Sequence, residues 1–257
     1  GLQATILSPS DNALFFGGEE AEISCFSTHA GALTLSINGQ VVASETQSAA
    51  LTYNQVFDEG NYEVIFTAED GTDTQADTLT IHYSHATEVS PRPAGVELGI
   101  TYDELDATKV TLCTFAAANK VANDASVLVP ARAVYVIGDF NNWTISSDYQ
   151  MYRDSCHFWL SLDNLTPRKE YAYQYVVVRP DGVIKYLSDG FADKHLHPDD
   201  IVKIIFSFPT NYIAYPSKAD GSYCSVFQTG QTPYEWSDAT LNFVRPDKND
   251  LIIYELW

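Results

Sequence analysis

Apolar and polar residues alternate along the first third of the chain in short runs that end at turn residues. Ala21–Ser27 alternates in this way, and Leu33–Ile37 repeats the pattern before Asn38-Gly39, a pair that favours the positive φ angles of a tight hairpin. A period of two residues is typical of strands with one buried face. Strands and turn signals at this spacing predict a β-sandwich over residues 1–84.

The segment Asp58-x-Gly60-x-Tyr62-x-Val64 refines this prediction. It resembles the corner of immunoglobulin sandwiches, where a tyrosine two residues before the second core cysteine bonds back to upstream backbone. Cys25 stands at the position of the first core cysteine, and Val64 stands where the second would be. The resemblance implies an immunoglobulin-like domain in which Cys25 forms no disulfide. A plain hairpin with a surface tyrosine is the alternative.

A second strand series follows a polar segment, residues 85–93, that ends in Pro91-Arg92-Pro93 and is predicted to be a linker. The apolar runs of this series, within residues 94–208, are Val110–Thr114, Ala133–Gly138, Phe158–Leu162, Tyr171–Val178 and Ile201–Phe208. No stretch sustains apolar positions at helical spacing, so the predicted fold class is all-β, with two tandem sandwiches. Residues 209–250, rich in turn residues and aromatic side chains, are predicted to be a connector.

Composition limits the classes of partner. The chain has 257 residues, 45% of them hydrophobic, which is enough for two packed domains. Its 34 acidic and 14 basic residues give a net charge of -20. Such a charge repels nucleic acid and anionic lipid, whereas a neutral polysaccharide is not repelled.

The sequence offers little sign of metal, cofactor or nucleophile chemistry. The four cysteines are widely separated and form no Cys-x-x-Cys pair, and they are interpreted as small buried side chains. His195-x-His197 beside acidic residues could suggest a metal, but an acidic surface loop is the simpler interpretation. We therefore predict no metal, no cofactor and no catalytic residue in this chain.

Val134–Trp143 carries the most specific motif. A β-branched run ends at Gly138, and Asp139-Phe140-Asn141-Asn142-Trp143 follows it directly. This segment resembles the Gly-Asp-Phe-Asn-x-Trp motif of carbohydrate-binding module family 48. The similarity continues through Phe158-Trp159-Leu160 and Lys169–Tyr175 and ends with Ser188–Lys194. The family forms early-set β-sandwiches in starch- and glycogen-active enzymes, so the resemblance implies such a sandwich over residues 94–208.

The resemblance also implies a sugar site. In the family, the motif tryptophan stacks on a sugar ring, a polar residue on a central strand bonds hydroxyl groups, and a second aromatic residue follows the next turn. By motif position these are Trp143 with its neighbour Asn142, then Gln174, then Tyr186. Gln174 stands where lysine is usual, and Tyr186 or Ile184 where a second tryptophan is usual. The alternative is that Trp143 packs within the protein and binds no sugar.

Residues 243–256 carry a second resemblance. Phe243-x-Arg245-Pro246-Asp247-Lys248 followed by Leu251–Leu256 resembles the entry into the (β/α)₈ barrel of glycoside hydrolase family 13. A near-continuous apolar run is typical of a parallel strand covered on both faces. The resemblance implies that residues 251–257 begin a barrel whose catalytic carboxylates lie beyond this chain. The alternative is that this run is the last strand of the second sandwich.

Together these features predict a non-catalytic accessory region of an α-amylase-family hydrolase. It would bind or position α-glucan, either starch or glycogen, for the barrel that follows, and the resemblance implies an extracytoplasmic location without membrane contact. One alternative is a structural spacer that packs on the barrel and binds no sugar. A stand-alone glycogen-binding regulator is another, against which the Leu251–Leu256 run argues.

Overall fold

A computed structural model describes residues 1–121, 124–200, 213–247 and 249 of the chain. Over these residues the fold is all-β, as predicted, and two β-structured bodies follow one another along the sequence. The predicted runs Ile201–Phe208 and Leu251–Trp257 lie outside the described residues.

The first body is one six-stranded sheet that rolls around its own core. Its strands are β1 (Ala4–Ser8), β2 (Ala13–Phe16), β3 (Ala21–Ile37), β4 (Gln40–Gln55), β5 (Gly60–Glu69) and β6 (Thr74–Ser84). The strand order is β1-β3-β5-β6-β2, β4 pairs with β3, and the β2–β6 pair is parallel while the others are antiparallel. The runs predicted as separate strands, Ala21–Ser27 and Leu33–Ile37, are the two halves of β3.

A bend between these halves lets β3 pair with β1 at one end and with β5 at the other. The bend requires Gly31, because a Cβ atom there would lie 2.0 Å from the carbonyl oxygen of Glu69. Rolling the sheet brings the apolar faces of both halves together into a single buried cluster. One rolled sheet, built on the long β3–β4 hairpin, therefore encloses the core that two separate sheets enclose in a sandwich.

The tyrosine corner of this body is confirmed. The Tyr62 hydroxyl donates a hydrogen bond of 3.0 Å to the carbonyl oxygen of Asp58. Cys25 and Val64 are both buried in the same core cluster, as expected of the two positions that a disulfide joins in immunoglobulin domains. Burial, with a smaller effect of Asp77, raises the pKa of the Cys25 thiol to about 12.

The second body packs two sheets face to face. Its strands are β7 (Gly99–Tyr102), β8 (Val110–Phe115), β9 (Ala117–Val121), β10 (Asp124–Pro130), β11 (Ala133–Gly138), β12 (Tyr152–Asp154), β13 (His157–Leu162), β14 (Glu170–Val178), β15 (Ile184–Leu187), β16 (Lys194–Leu196) and β17 (Cys224–Gln228). One sheet has the order β11-β14-β17-β16 with β15 paired to β14, and the other has the order β12-β13-β8-β7. Strands β9 and β10 form a separate hairpin.

Strand β11 is buried on both faces, which explains why its sequence is a continuous apolar run. Val134 and Val136 point into the core between the two sheets. Alternate residues of a strand point to opposite faces, so Tyr135 and Ile137 point the other way, into a cluster that includes Phe16 of the first body. The first body thus covers the β11 side of this sheet's outer face, and the segment before β17 covers the side near Ala172 and Cys224.

The predicted connector over residues 209–250 requires a correction, because it contains β17. This strand pairs antiparallel with β14 on one side and with β16 on the other, so it lies within the sheet. Its five residues are flanked by turns and give little local signal, and only its pairing with distant strands defines it. The short helix α1 (Asp238–Leu241), capped by Ser237, lies further along the same segment.

Residues 85–93, predicted to be a linker, lie against the second body. Ser90 donates its backbone N–H to the Arg153 carbonyl, and the indole N–H of Trp159 donates to the Ser90 carbonyl over 3.0 Å. Arg92 forms an ion pair with Asp154 over 3.0 Å.

Several contacts fix the two bodies to each other. The guanidinium of Arg132 lies 4.3 Å above the Phe16 ring and pairs with the Glu19 carboxylate. On another side of the interface, the buried Ser84 hydroxyl donates to the side-chain oxygen of Gln150 over 3.1 Å. These contacts hold β2 and β6 of the first body against the outer face of the second.

Candidate functional site

The turn after β11 has a geometry that depends on its residue types. The Gly138 N–H donates to the side-chain oxygen of Asn141, and the Asn141 amide nitrogen donates to the Val136 carbonyl, both over 2.9 Å. A Cβ atom on Gly138 would lie 2.5 Å from the Ala172 carbonyl oxygen, so the close approach to β14 requires glycine. The motif therefore closes a tight turn at the end of a central strand.

This turn directs Trp143 outward from the sheet. Trp143 and the preceding Asn142 both have positive φ angles, of 61° and 56°, which is uncommon for residues other than glycine. The Trp143 indole N–H donates to Asp139 Oδ1 over 2.9 Å, and Asp139 Oδ2 accepts the N–H of Ala172 over 2.8 Å. One carboxylate thus ties the indole to the backbone of β14 and fixes its orientation.

Trp143 is half-buried and lines a cleft of about 650 Å³ between the two bodies. The second body contributes an aromatic and aliphatic surface, and the first contributes a polar wall. The lining residues are Asp11, Asn12, Asn61, Thr80, His82, Ile137, Trp143, Thr144, Ile145, Tyr186, Lys218 and Asp220. A concave surface with aromatic side chains and a few polar groups is the common form of a small-ligand site.

Tyr186 lies in the same cleft, on the edge strand β15. Burial raises the pKa of its hydroxyl above the ordinary value, and the negative charges of Asp220 and Asp11 raise it further. Asp220 belongs to the second body and Asp11 to the first, so charges from both bodies act on the Tyr186 hydroxyl. Trp143 and Tyr186, which lie 43 positions apart in the sequence, therefore line the same cleft.

Gln174 does not have the position expected of a ligand contact. Its side chain is 0% exposed, and its amide nitrogen donates to Asp220 Oδ1, Ser222 Oγ and the Tyr223 carbonyl over 2.7, 3.1 and 3.1 Å. The expectation that Gln174 bonds sugar hydroxyls directly is corrected accordingly. The loop before β17 covers this residue, and Gln174 instead fixes the carboxylate of Asp220 at the cleft.

Asn142 is exposed at the margin of the cleft. Its side-chain oxygen accepts a hydrogen bond of 2.6 Å from the Lys218 ammonium group, so the motif turn is joined to the loop before β17. The contributions of Lys218 and Asp220, and those of Asp11 and Asn12, were missed from the sequence. No local motif marks these positions, because only the packing of distant segments brings them to Trp143.

The two histidines considered for a metal have other partners. His195 Nε2 contacts the carbonyl oxygen of Asp189 over 2.8 Å, and the His197 ring packs on Tyr223 with 4.6 Å between centroids. Across residues 1–121, 124–200 and 213–247, no cluster of three metal-ligating side chains could hold an ion. A helix long and apolar enough to cross a membrane is likewise absent from these residues.

Comparison with solved structures gives distant likenesses. Fibronectin(III)-like modules of Clostridium thermocellum CbhA share 20% identity, with 33% of this chain and 98% of that chain covered and a TM-score of 0.28. Beta-glucuronidase 3 of Bacteroides uniformis shares 14% identity, with 71% and 24% covered and a TM-score of 0.30. A beta-glycosidase from Bacteroides vulgatus shares 10% identity, with 72% and 24% covered and a TM-score of 0.25.

This chain spans about a quarter of the length of those two glycosidases. At such TM-scores the likenesses carry no argument about fold or function. No curated protein matches the chain. The model of one protein family does match, over residues 97–192, and the family is described as Carbohydrate-binding module 48 (Isoamylase N-terminal domain). This match includes β11, Trp143 and Tyr186, and it supports a carbohydrate-binding accessory domain within the second body.

Proposed function

We propose that this region is a non-catalytic accessory part of an α-amylase-family (glycoside hydrolase family 13) protein and that it binds α-glucan in the cleft between the two bodies. The observation that carries the proposal is the joint presence of Trp143 and Tyr186 in one open cleft. The family match over residues 97–192 supports carbohydrate as the ligand class. The resemblance of residues 243–256 to a barrel entry supports the parent family.

The chemistry of the cleft suits a sugar chain. The C–H groups of a glucose ring pack well on the face of an aromatic side chain, and Trp143 and Tyr186 supply two such faces. Sugar hydroxyls need acceptors and donors, which carboxylate and amide groups provide, and Asp220 and Asn12 line the same space. Gln174 would act through Asp220, since its own amide is satisfied within the protein.

Affinity electrophoresis in glycogen or amylopectin tests this proposal. We expect the wild-type chain to be retarded, and we expect Trp143→Ala to weaken binding by about 1–3 kcal/mol, the typical loss for one aromatic contact. Trp236→Ala is the matched control, because Trp236 is exposed and belongs to the segment after β17. Equal retardation of wild type and Trp143→Ala would move the site elsewhere, and no retardation of the wild type would contradict glucan binding.

A structural spacer is the second candidate function, and two observations favour it. Trp143 is half-buried with its indole N–H already bonded to Asp139, and Gln174 is sealed by the loop before β17. In that case Trp143→Ala lowers the stability of the protein while neither it nor the wild type is retarded by glucan. Denaturation and electrophoresis of the same two proteins therefore separate the candidates.

An α-amylase-type barrel would be the partner that receives the bound glucan, and an extracytoplasmic location would expose the cleft to starch or glycogen. The chain itself should release no reducing sugar from starch, glycogen or pullulan. Hydrolysis by a sample free of contaminating amylase would contradict the non-catalytic assignment.

A further inference from the structure

We infer that the first body supplies one wall of the ligand site, with Asp11 and Asn12 as ligand contacts, and that the site takes an uncharged sugar chain and rejects an anionic one. This inference rests on the proposed function of the cleft. The first body lies outside the family match, which begins at residue 97.

The first wall consists of first-body residues that lie 61 to 132 positions before Trp143 in the sequence. Asp11 and Asn12 stand before β2, while Asn61 and His82 stand on β5 and β6, and all four line the cleft that holds Trp143. Asp11 and Asn12 are exposed, and although the Asn12 amide group contacts Asp11 Oδ2 and His82, its second N–H is left for a ligand. A ligand that rests on Trp143 would therefore meet side chains from both bodies.

Hydrogen bonds preorganise this wall. Asp11 Oδ1 accepts the N–H groups of Asn12 and Thr80 over 3.0 and 2.8 Å, which holds the β1–β2 turn against β6. The two ring nitrogens of His82 lie 3.1 Å from Asn12 Oδ1 and 2.7 Å from Asn61 Oδ1, and the neutral ring donates its single N–H to one of these two oxygens. A wall that is ordered before binding loses little conformational entropy when a ligand arrives.

The wall is also fixed relative to Trp143. The Asn61 side chain donates to the carbonyl oxygen of Ile145, two residues after Trp143, over 3.3 Å. Arg132, packed on Phe16, and the bond between Ser84 and Gln150 hold the bodies together away from the cleft. The two walls are therefore parts of one preformed surface.

The charged side chains that line the cleft favour an uncharged sugar chain over an anionic one. Asp11 and Asp220 bring two carboxylates to the cleft, and Lys218, its one described lining residue with a permanent positive charge, is bonded to Asn142. The net charge of -20 over the whole chain adds to this field. A carboxylated or phosphorylated glucan would meet repulsion from both walls, whereas neutral hydroxyls can donate to both carboxylates.

Calorimetric titration with maltoheptaose tests the first wall. We expect Asp11→Asn, which keeps one oxygen acceptor for the Thr80 N–H, to bind maltoheptaose about fivefold more weakly than the wild type. Glu45→Gln is the matched control, because it removes one exposed negative charge from β4 of the same body, and we expect it to bind within twofold of the wild type. Equal thermal midpoints for the two variants would show that both are folded.

An amide chemical-shift titration of the wild type needs no variant. We expect maltoheptaose to shift the signals of Asp11, Asn12 and Thr80 as well as those around Trp143. If Trp143→Ala abolishes binding while Asp11→Asn binds normally and the shifts stay within the second body, the inference is overturned and the proposed function stands. If the wild type binds no maltoheptaose and no glycogen, both fail together.

Amylose and amylose oxidised to carboxylate at C6 test the charge preference. We expect the wild type to bind the oxidised chain at least fivefold more weakly at low salt, and we expect Asp11→Asn to reduce that difference more than Glu45→Gln does. Equal binding of the two chains by the wild type would overturn the preference for an uncharged ligand.

Discussion

The amide nitrogen of Gln174 donates a hydrogen bond of 2.7 Å to Oδ1 of Asp220, and this contact joins the central strand β14 to the loop before β17. The same nitrogen contacts Ser222 Oγ and the Tyr223 carbonyl. Gln174 therefore holds the loop that carries Asp220 and Lys218 to the cleft, although it reaches no solvent itself.

Replacing Gln174 should destabilise the protein. Gln174→Ala removes the donor that the Tyr223 carbonyl accepts and one of the bonds to Asp220 Oδ1, which keeps those from Ser222, and it opens a cavity in a buried position, so we expect a loss of about 1–3 kcal/mol in the free energy of unfolding. Urea denaturation measures this loss, and Gln75→Ala, at an exposed position of β6, is the control. A loss equal to that of the control would show that the loop is held by other contacts.

Gly138→Ala should destabilise the second body. The added methyl group would lie 2.5 Å from the Ala172 carbonyl oxygen and 2.8 Å from the Phe140 ring, so the turn or β14 must shift. We expect a loss of about 1–3 kcal/mol, the usual cost of overpacking. Gly190→Ala is the matched control, because a Cβ atom there meets nothing within 4 Å. Similar thermal midpoints for both variants would contradict this account of the motif glycine.

Two buried tyrosines should respond in opposite ways to the loss of the hydroxyl group. The Tyr135 hydroxyl is buried, and its one polar interaction among the described residues, with Ser84, lies outside ordinary hydrogen-bond geometry, so Tyr135→Phe should leave the free energy of unfolding unchanged or increase it. The Tyr173 hydroxyl donates to the buried Asp189 carboxylate over 2.9 Å. Tyr173→Phe should cost about 1.5–3 kcal/mol, as for other hydrogen bonds to charged groups.

Chemical denaturation of both phenylalanine variants against the wild type checks this pair. The two substitutions remove the same atom from the same sheet, which makes each the control for the other. A clear loss of stability in Tyr135→Phe would mean that its hydroxyl has a partner in solution.

His82 should make the stability depend on pH. Burial lowers the pKa of His82 from 6.5 to about 4, although the charge of Asp11 acts in the opposite direction. The unfolded chain therefore binds this proton at a higher pH than the folded chain does, and the contribution of His82 to the free energy of unfolding falls as the pH drops from about 6.5 to about 4. The full effect corresponds to about 3 kcal/mol.

Urea denaturation of the wild type and His82→Gln at pH 7 and at pH 4.5 measures this effect. The difference in stability between them should move in favour of the variant at the lower pH, because glutamine does not titrate. Taking the difference removes the contributions of the carboxylates that both proteins share. A difference that stays constant with pH would show that His82 is not held neutral by burial.

Local sequence patterns determined most of the strands and two of the turns of this protein. The period-two alternation and the turn residues specified most strands, because side-chain direction in a strand depends only on position along it. Asp58-x-Gly60-x-Tyr62 specified a corner whose hydrogen bond spans four residues. The Gly138–Trp143 turn was equally readable, since its bonds lie among neighbours in the chain and with the strand beside them.

The tertiary structure alone decided what lies beside that turn. The alternation of apolar and polar residues along β14 gives Gln174 a position that an exposed site residue could equally have. The loop before β17 nevertheless covers it. Strand β17 is short and gains its identity from pairing with β14, and the wall formed by Asp11 and Asn12 depends on the rolled first sheet packing on β11. These features come from contacts between segments far apart in sequence, whose geometry no local pattern contains.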